Sequence, residues 1–184
     1  MSTYQIALIV GSIRKESLNR RFAEALIRLA PPEFSFNSVR IDDLPLYNPD
    51  DDERPPGPVV RLKQEISGAD GVLFVTPEYN RSITSVLKNA IDHASRPYGK
   101  SSWRGKPAGV VGISVGAVGT AVAQQQLRNI LAYLDMPTLG QPEAFIQFKE
   151  VLFDEDGGIG ASSRQFLQSW MDLYVEWIKL HQPS

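Results

Sequence analysis

The chain has 184 residues, 42% of them hydrophobic, which is enough for one domain with a sizeable core and too apolar for a disordered segment. Its formal charge of −2 gives no electrostatic case for binding nucleic acid or an anionic membrane, and it lacks the heavy acidity of a docking electron carrier. With no cysteine and only two histidines, His93 and His181, the chain offers no disulfide, iron–sulfur cluster, thiolate zinc site, cysteine nucleophile or histidine-rich metal site.

Met1-Ser2-Thr3-Tyr4-Gln5 leads into the first apolar run without a basic and apolar leader, and no run approaches membrane-spanning length. A cytoplasmic protein with no membrane partner is expected. Ile6-Ala7-Leu8-Ile9-Val10 reads as a fully buried strand. Leu18, Phe22, Ala25, Leu26 and Leu29 follow at i, i+4, i+7, i+8 and i+11, one face of a helix. Between them lies Gly11-Ser12-Ile13-Arg14-Lys15-Glu16-Ser17-Leu18-Asn19, a strand-to-helix junction. Such a junction offers unpaired N–H groups and the positive end of a helix dipole, a setting that suits phosphate. Ser12, Ser17 and Asn19 add side-chain donors and Arg14 a cationic fork. Ser17 or Asn19 can equally serve as the helix cap. The loop matches neither a Walker loop nor G-x-G-x-x-G.

Phe34 to Ile41 reads as a second, peripheral strand. Asp42 to Pro58 is a loop whose acidic run, Asp50-Asp51-Asp52-Glu53, reads as solvated rather than metal-binding. A helix follows with Pro58 in its first turn and Gly68 at its C-cap. Val72-Leu73-Phe74-Val75 is a third strand, ending in Thr76-Pro77-Glu78-Tyr79-Asn80-Arg81-Ser82. Ile83, Val86, Leu87, Ala90, Ile91 and Ala94 mark the next helix, stopped by Arg96-Pro97-Tyr98-Gly99. Ala108 to Ile113 is a fourth strand, and Ser114-Val115-Gly116-Ala117-Val118-Gly119-Thr120 its exit loop. A helix with Ala123, Leu127, Ile130, Leu131 and Leu134 follows, then a fifth strand near Ala144-Phe145-Ile146. The last helix is expected to bury Phe166, Trp170, Leu173, Tyr174 and Trp177.

Strict alternation of buried strands with helices predicts an α/β three-layer sandwich, one domain over 1–184. Five strands in an open parallel sheet suggest the flavodoxin-like order 2-1-3-4-5, with ligands beyond the strand C-termini at the switch point. The three loops that stand out by composition follow strands one, three and four, so all three converge on one crevice. The first suits a phosphate. The second, Pro77-Glu78-Tyr79-Asn80, suits a flat ring, with Tyr79 as an aromatic surface, although an ordinary turn with Ser82 as N-cap reads as well. The third has Gly116 and Gly119, which let backbone approach a ligand. A phosphate and a planar ring together describe a mononucleotide, and FMN fits. Glu78 is the only carboxylate in the crevice, as suits an enzyme whose cofactor carries the chemistry.

On these residues the sequence resembles the NADPH-dependent FMN reductase family, which includes quinone, chromate and azo-dye reductases. The likeness rests on Gly11-Ser12-Ile13-Arg14 with Ser17 and Asn19, on Thr76-Pro77-Glu78-Tyr79-Asn80-Arg81-Ser82 with Leu87-Lys88-Asn89-Ala90-Ile91-Asp92, on Gly105-Lys106-Pro107 and on Gly119-Thr120-Ala121. It spans nearly the whole chain, and the Pro-Glu-Tyr-Asn segment with Leu-Lys-Asn-Ala-Ile-Asp is its specific part. The resemblance implies noncovalent FMN, NADPH or NADH as donor, and a homodimer or dimer of dimers. It implies Ser12, Arg14, Ser17, Leu18 and Asn19 at the FMN phosphate, Pro77, Glu78, Tyr79 and Asn80 along the isoalloxazine with Arg81 and Ser82 close by, and Ser114 and Gly116 on its other side. No protein group is implied as catalyst, since flavin N5 carries the hydride from nicotinamide. A quinone, free flavin, chromate or azo-type acceptor then takes the electrons in a ping-pong cycle.

The chain departs from the family pattern at Thr84 and Ser85, where Pro-Gly is frequent, at His93, where tryptophan is frequent, and at Gln126, where histidine is common. His93 is expected at the surface or an interface. Two other classes share the fold: a flavodoxin-type electron carrier or redox sensor, and a receiver module. Arg14 and the modest charge count against the carrier. A receiver needs an acidic cluster where Gly11-Ser12 stand.

Overall fold

Each central strand is apolar on both sides, so each can bury two faces at once. In the computed structural model, which describes residues 4–182, the strands β1 (Tyr4–Val10), β2 (Phe34–Ser38), β3 (Gly71–Val75), β4 (Ala108–Ser114) and β5 (Ala144–Gln147) form one parallel sheet in the order β2-β1-β3-β4-β5. This is the flavodoxin-like order. The crossover helices are α1 (Leu18–Ile27), α2 (Gly57–Ser67), α3 (Ser85–Ala94), α4 (Ala121–Tyr133) and α5 (Ala161–Leu180). Alternate residues sort to two cores. Ile6, Leu8, Leu73, Val75, Val111 and Ile113 pack with α1 and α5. Ala7, Ile9, Val72, Phe74 and Val110 pack with α2, α3 and α4. No described helix is long and apolar enough to cross a membrane.

Three expectations are corrected. β2 ends at Ser38 rather than Ile41, because its pairing with β1 runs out at Leu8↔Ser38; Val39 and Ile41 stay buried as loop residues. α3 starts after Thr84, whose hydroxyl accepts from Leu87 N–H at 3.3 Å, so Thr84 and not Ser82 is the N-cap. α5 is rotated from its expected phase. It buries Leu167, Trp170, Met171, Tyr174, Val175 and Ile178, and leaves Phe166 and Leu173 exposed.

The cause of that rotation lies in the strands. A Cβ at Gly109 would stand 2.6 Å from the Tyr174 ring and 3.0 Å from Trp170, and one at Gly71 would stand 2.3 Å from Ile178. Missing side chains on β3 and β4 therefore admit the i, i+4, i+8 row Trp170, Tyr174, Ile178. The first two stack at 5.4 Å between ring centres.

His93 is also corrected. It is buried, with Nε2 2.9 Å from the Pro45 carbonyl oxygen and its ring edge-on to Tyr47. One turn earlier, Asn89 accepts from Tyr47 N–H at 2.8 Å and donates to the same Pro45 oxygen at 2.8 Å. These two α3 side chains strap down the loop after β2. Among the described residues no group of three acidic, histidine or cysteine side chains could hold a metal ion.

Candidate functional site

The loops after β1, β3 and β4 meet above the sheet because those strands are neighbours in the order. The first loop is pinned at its root. Gly11 N–H donates to Val75 O at 2.8 Å, and Thr84 Oγ donates to Gly11 O at 2.7 Å. A Cβ at Gly11 would come within 3.1 Å of Leu87 and 3.2 Å of the Thr76 hydroxyl, so the loop lies flat on α3. Ser17 caps α1 by accepting from Arg20 N–H at 3.2 Å. Among the described residues, no acceptor takes the main-chain N–H groups of residues 12–19. Ser12 is buried at 7% exposure with no recorded partner for its hydroxyl, and Arg14 is exposed and unpaired among those residues.

Asn19 behaves otherwise than expected. Its amide donates to Ile113 O at 2.9 Å and accepts from Ile113 N–H at 3.1 Å. The side chain is a buried bracket tying α1 to β4 and is not available to a phosphate. Only its N–H, in the first turn of α1, remains with the loop. Asn19→Ala leaves two buried backbone groups unpaired and should cost about 2–4 kcal/mol. Urea unfolding of the apoprotein reads this as a lower midpoint; an unchanged midpoint would mean the bracket holds nothing.

The second loop is a tight turn. Tyr79 and Ser82 exchange backbone hydrogen bonds, both at 2.9 Å, around Asn80 (φ 51°) and Arg81 (φ 64°). Two left-handed residues in succession make a type I′ turn, and an arginine there costs roughly 1–2 kcal/mol relative to glycine. The surroundings hold it in place. Glu78, only 7% exposed at its side chain, pairs with Arg81 at 2.9 Å and accepts from Ala123 N–H at 3.0 Å. Thr120 gives α4 no side-chain cap, so Glu78 caps that helix from another loop. Gln126 of α4 donates to Arg81 O at 2.9 Å and accepts from Ser82 Oγ at 2.6 Å. Tyr79 projects from the turn, 54% exposed. Pro77 behind it is buried.

The third loop folds on itself. Ser114 Oγ donates to Gly119 O at 2.6 Å, and Gly119 (φ 62°) lies against the Phe145 backbone where a Cβ would stand 2.8 Å away. A Cβ at Gly116 would meet only the Ser114 hydroxyl, at an ordinary 3.6 Å. Val115, Val118 and Val122 are exposed along the rim, as are Ile13 and Tyr79. The loops that carry the sequence-predicted residues thus lie on three neighbouring strands, and Glu78, Ser82 and Gln126 tie the second loop to the helix that follows the third. Ser17, Ser82 and Ser114 hold the loops' own shape there, and Asn19 faces away. Thr84 and Gln126 stood out in the sequence only as departures from the family pattern; their bonds to Gly11, Arg81 and Ser82, like the cross-loop role of Glu78, depend on partners from distant elements and were not legible.

A flavodoxin-like sheet with an amide-lined, cationic loop beside a stiffened aromatic turn defines a mononucleotide-binding protein. The family model for NADPH-dependent FMN reductase matches residues 4–150, and the chain belongs to that family, whose members are oxidoreductases using FMN and NAD(P)H. It is 50% identical over 176 residues to a 2-hydroxy-1,4-benzoquinone reductase of a Burkholderia species, covering 95% of this chain and 96% of that one. It is 49% identical over 180 residues to a quinone reductase of Pseudomonas putida, covering 97% of each. Among solved structures it resembles FerB, a flavoenzyme NAD(P)H:(acceptor) oxidoreductase of Paracoccus denitrificans. That likeness has a TM-score of 0.93 and 43% identity over 97% of this chain and 99% of that one.

Proposed function

We propose that this chain is a cytoplasmic NAD(P)H:quinone oxidoreductase working through bound FMN. The carrying observation is the crevice itself, with unpaired amides and Arg14 at one end and a rigid turn bearing Tyr79 at the other. Relatives named quinone reductases, matched over almost their full length, support the acceptor class. The residues fit FMN: the N–H groups of residues 12–19 lack partners among the described residues, as a phosphate cradle requires, and the Ser12 hydroxyl stands beside them. When bound, FMN supplies the hydride acceptor and the subsequent two-electron donor. Arg14 and the first-loop amides would hold its phosphate. The N–H groups of Asn80 and Arg81, which also have no acceptor among the described residues, would be free to stabilise negative charge on the ring. Tyr79 offers a flat surface on which either substrate stacks. One open face serves donor and acceptor in turn, which gives ping-pong kinetics, and free flavin, chromate and azo compounds are further acceptors.

The test is an absorption spectrum of the purified protein, then NADPH under argon, then a benzoquinone. A yellow protein that bleaches and recolours supports the proposal. One that bleaches only when a separate reductase is added is a carrier, and the proposal fails.

Tyr79→Ala should change the KM for NADPH or quinone several-fold while the protein stays yellow, because the first loop anchors the cofactor. A folded but colourless variant would reverse that division of labour. The exposed rim of Ile13, Tyr79, Val115, Val118 and Val122 suits a second copy of the chain closing the crevice. Light scattering should therefore give at least twice 20.4 kDa at micromolar concentration; a monomeric mass would remove the second wall.

A further inference from the structure

On the far side of the phosphate loop, a cleft of about 480 Å³ opens between α1 and the edge strand β2. Ser12 and Ile13 line it, so it is continuous with the loop assigned to phosphate. Its inner wall is apolar, with Val10, Ile27 and Phe36. Its mouth is charged, with Arg20 and Glu24 on α1 and Arg40 and Asp42 after β2. Arg20 and Glu24 stand at i, i+4, where opposite charges commonly pair, yet no ion pair or side-chain hydrogen bond of either is present among the described residues. Arg40 is different. Its Nε donates to Asp42 at 2.8 Å and stands 3.7 Å from Asp43, and the Asp42 contact keeps that carboxyl below the usual carboxylate range. The terminal nitrogens of Arg40 carry no recorded bond among those residues.

We propose that this cleft takes the adenylate end of the dinucleotide donor, with Arg20 and Arg40 reading the 2′-phosphate that distinguishes NADPH from NADH. The inference rests on the FMN-dependent reading of the crevice and deepens it by naming a donor subsite. Span and chemistry both support it. The ring end of the crevice lies over β3 and β4, the phosphate loop over β1, and the cleft over β1 and β2. From β4 to β2 is three strand spacings, about 14 Å at ~4.8 Å each. That is the scale of an extended dinucleotide, so nicotinamide at the ring and adenosine in the cleft are compatible. A purine needs flat apolar walls, and Val10, Ile27 and Phe36 provide them. A ribose phosphate needs cationic forks, and two converge on the mouth from different elements. Glu24 accepts hydrogen bonds from a ribose hydroxyl or the adenine amino group, and its charge steers the phosphate toward the arginines.

The holoprotein should bind 2′,5′-ADP at least tenfold more tightly than 5′-AMP by titration calorimetry, and Arg20→Gln or Arg40→Gln should erase that difference. The ratio of kcat/KM for NADPH to that for NADH should fall about tenfold in each variant. Glu24→Trp, at an exposed helix position, fills the cleft without touching the core and should raise the KM of both donors while the flavin absorbance stays. If 2′,5′-ADP binds no better than 5′-AMP, or the ratio and the Glu24→Trp KM values are unmoved in a yellow, active protein, the cleft assignment is wrong and the FMN reading stands. A protein that retains no flavin, or oxidises neither donor, overturns the reading of the crevice and this subsite with it.

Discussion

Gly112→Ala is expected to lower the melting temperature by at least about 6–12 °C and to strip the protein of flavin. Gly112 lies in β4 where the end of β3 and the start of α4 cross it. A Cβ there would stand 2.1 Å from the Thr76 carbonyl oxygen and 2.3 Å from the Thr120 hydroxyl. Neither neighbour can yield cheaply. Thr76 N–H donates to Val111 O at 3.0 Å and its chain runs directly into Pro77, while Thr120 is fully buried and its hydroxyl accepts from Gln124 at 2.9 Å. Overpacking against backbone of this kind costs at least about 3 kcal/mol. For a chain of this size each kcal/mol shifts the midpoint by about 2–4 °C. The same displacement pushes the second and third loops apart, because Thr76 roots one and Thr120 the other, so FMN retention falls with stability. Gly140→Ala is the control: nothing lies within 4 Å of its added Cβ, and its midpoint should match wild type. Calorimetric scans of both variants, with the flavin absorbance of the purified proteins, check this. A Gly112→Ala protein that melts with wild type would mean that Thr76 and Thr120 are not locked against β4.

The same close approach explains why some of the molecule was legible in the sequence and some was not. Strand positions came through because Ile6–Val10 and Val72–Val75 are apolar on both faces, a pattern any buried parallel strand must show. The strand order came through because alternation of buried strands and helices suggests a doubly wound sheet, and in that order the strands before the three loops, β1, β3 and β4, are neighbours. The phase of α5 did not. Phe166, Leu173 and Trp177 have the right spacing for a buried stripe, and so do Leu167, Met171 and Ile178; the choice between them is made by Gly71 and Gly109, on strands remote in sequence. Within the site, residue types were readable but their directions were not. Asn19 looks like a phosphate donor until Ile113, 94 residues away, takes both ends of its amide. Glu78 looks like a lone carboxylate in a crevice until Ala123 N–H and Arg81 occupy it as a cap and an ion pair. In each case a local pattern admits several partners, and long-range packing selects one.

Arg14→Ala should weaken FMN binding by roughly ten- to a hundredfold. FMN brings a phosphate that is largely dianionic near neutral pH. The N–H groups of the first loop and the Ser12 hydroxyl can solvate that phosphate, but they carry no net charge. Among the neighbouring cations, Lys15 offers a point charge, and Arg20 lines the cleft beside β2. Arg14 is the one fork within the loop itself, exposed and free of any partner among the described residues, so no existing ion pair has to break when phosphate arrives. A charge-assisted hydrogen bond contributes about 1.5–3 kcal/mol. At about 1.4 kcal/mol per decade, that sets the expected loss. Arg14→Lys should recover only part of it, because an ammonium cannot reproduce two parallel N–H donors. Riboflavin, which lacks the phosphate, should bind wild type and Arg14→Ala almost alike. Fluorescence titration of apoprotein with the two flavins separates the contributions. If both flavins lose affinity equally, Arg14 supports the loop's shape or the ring, and the phosphate belongs to the amides alone.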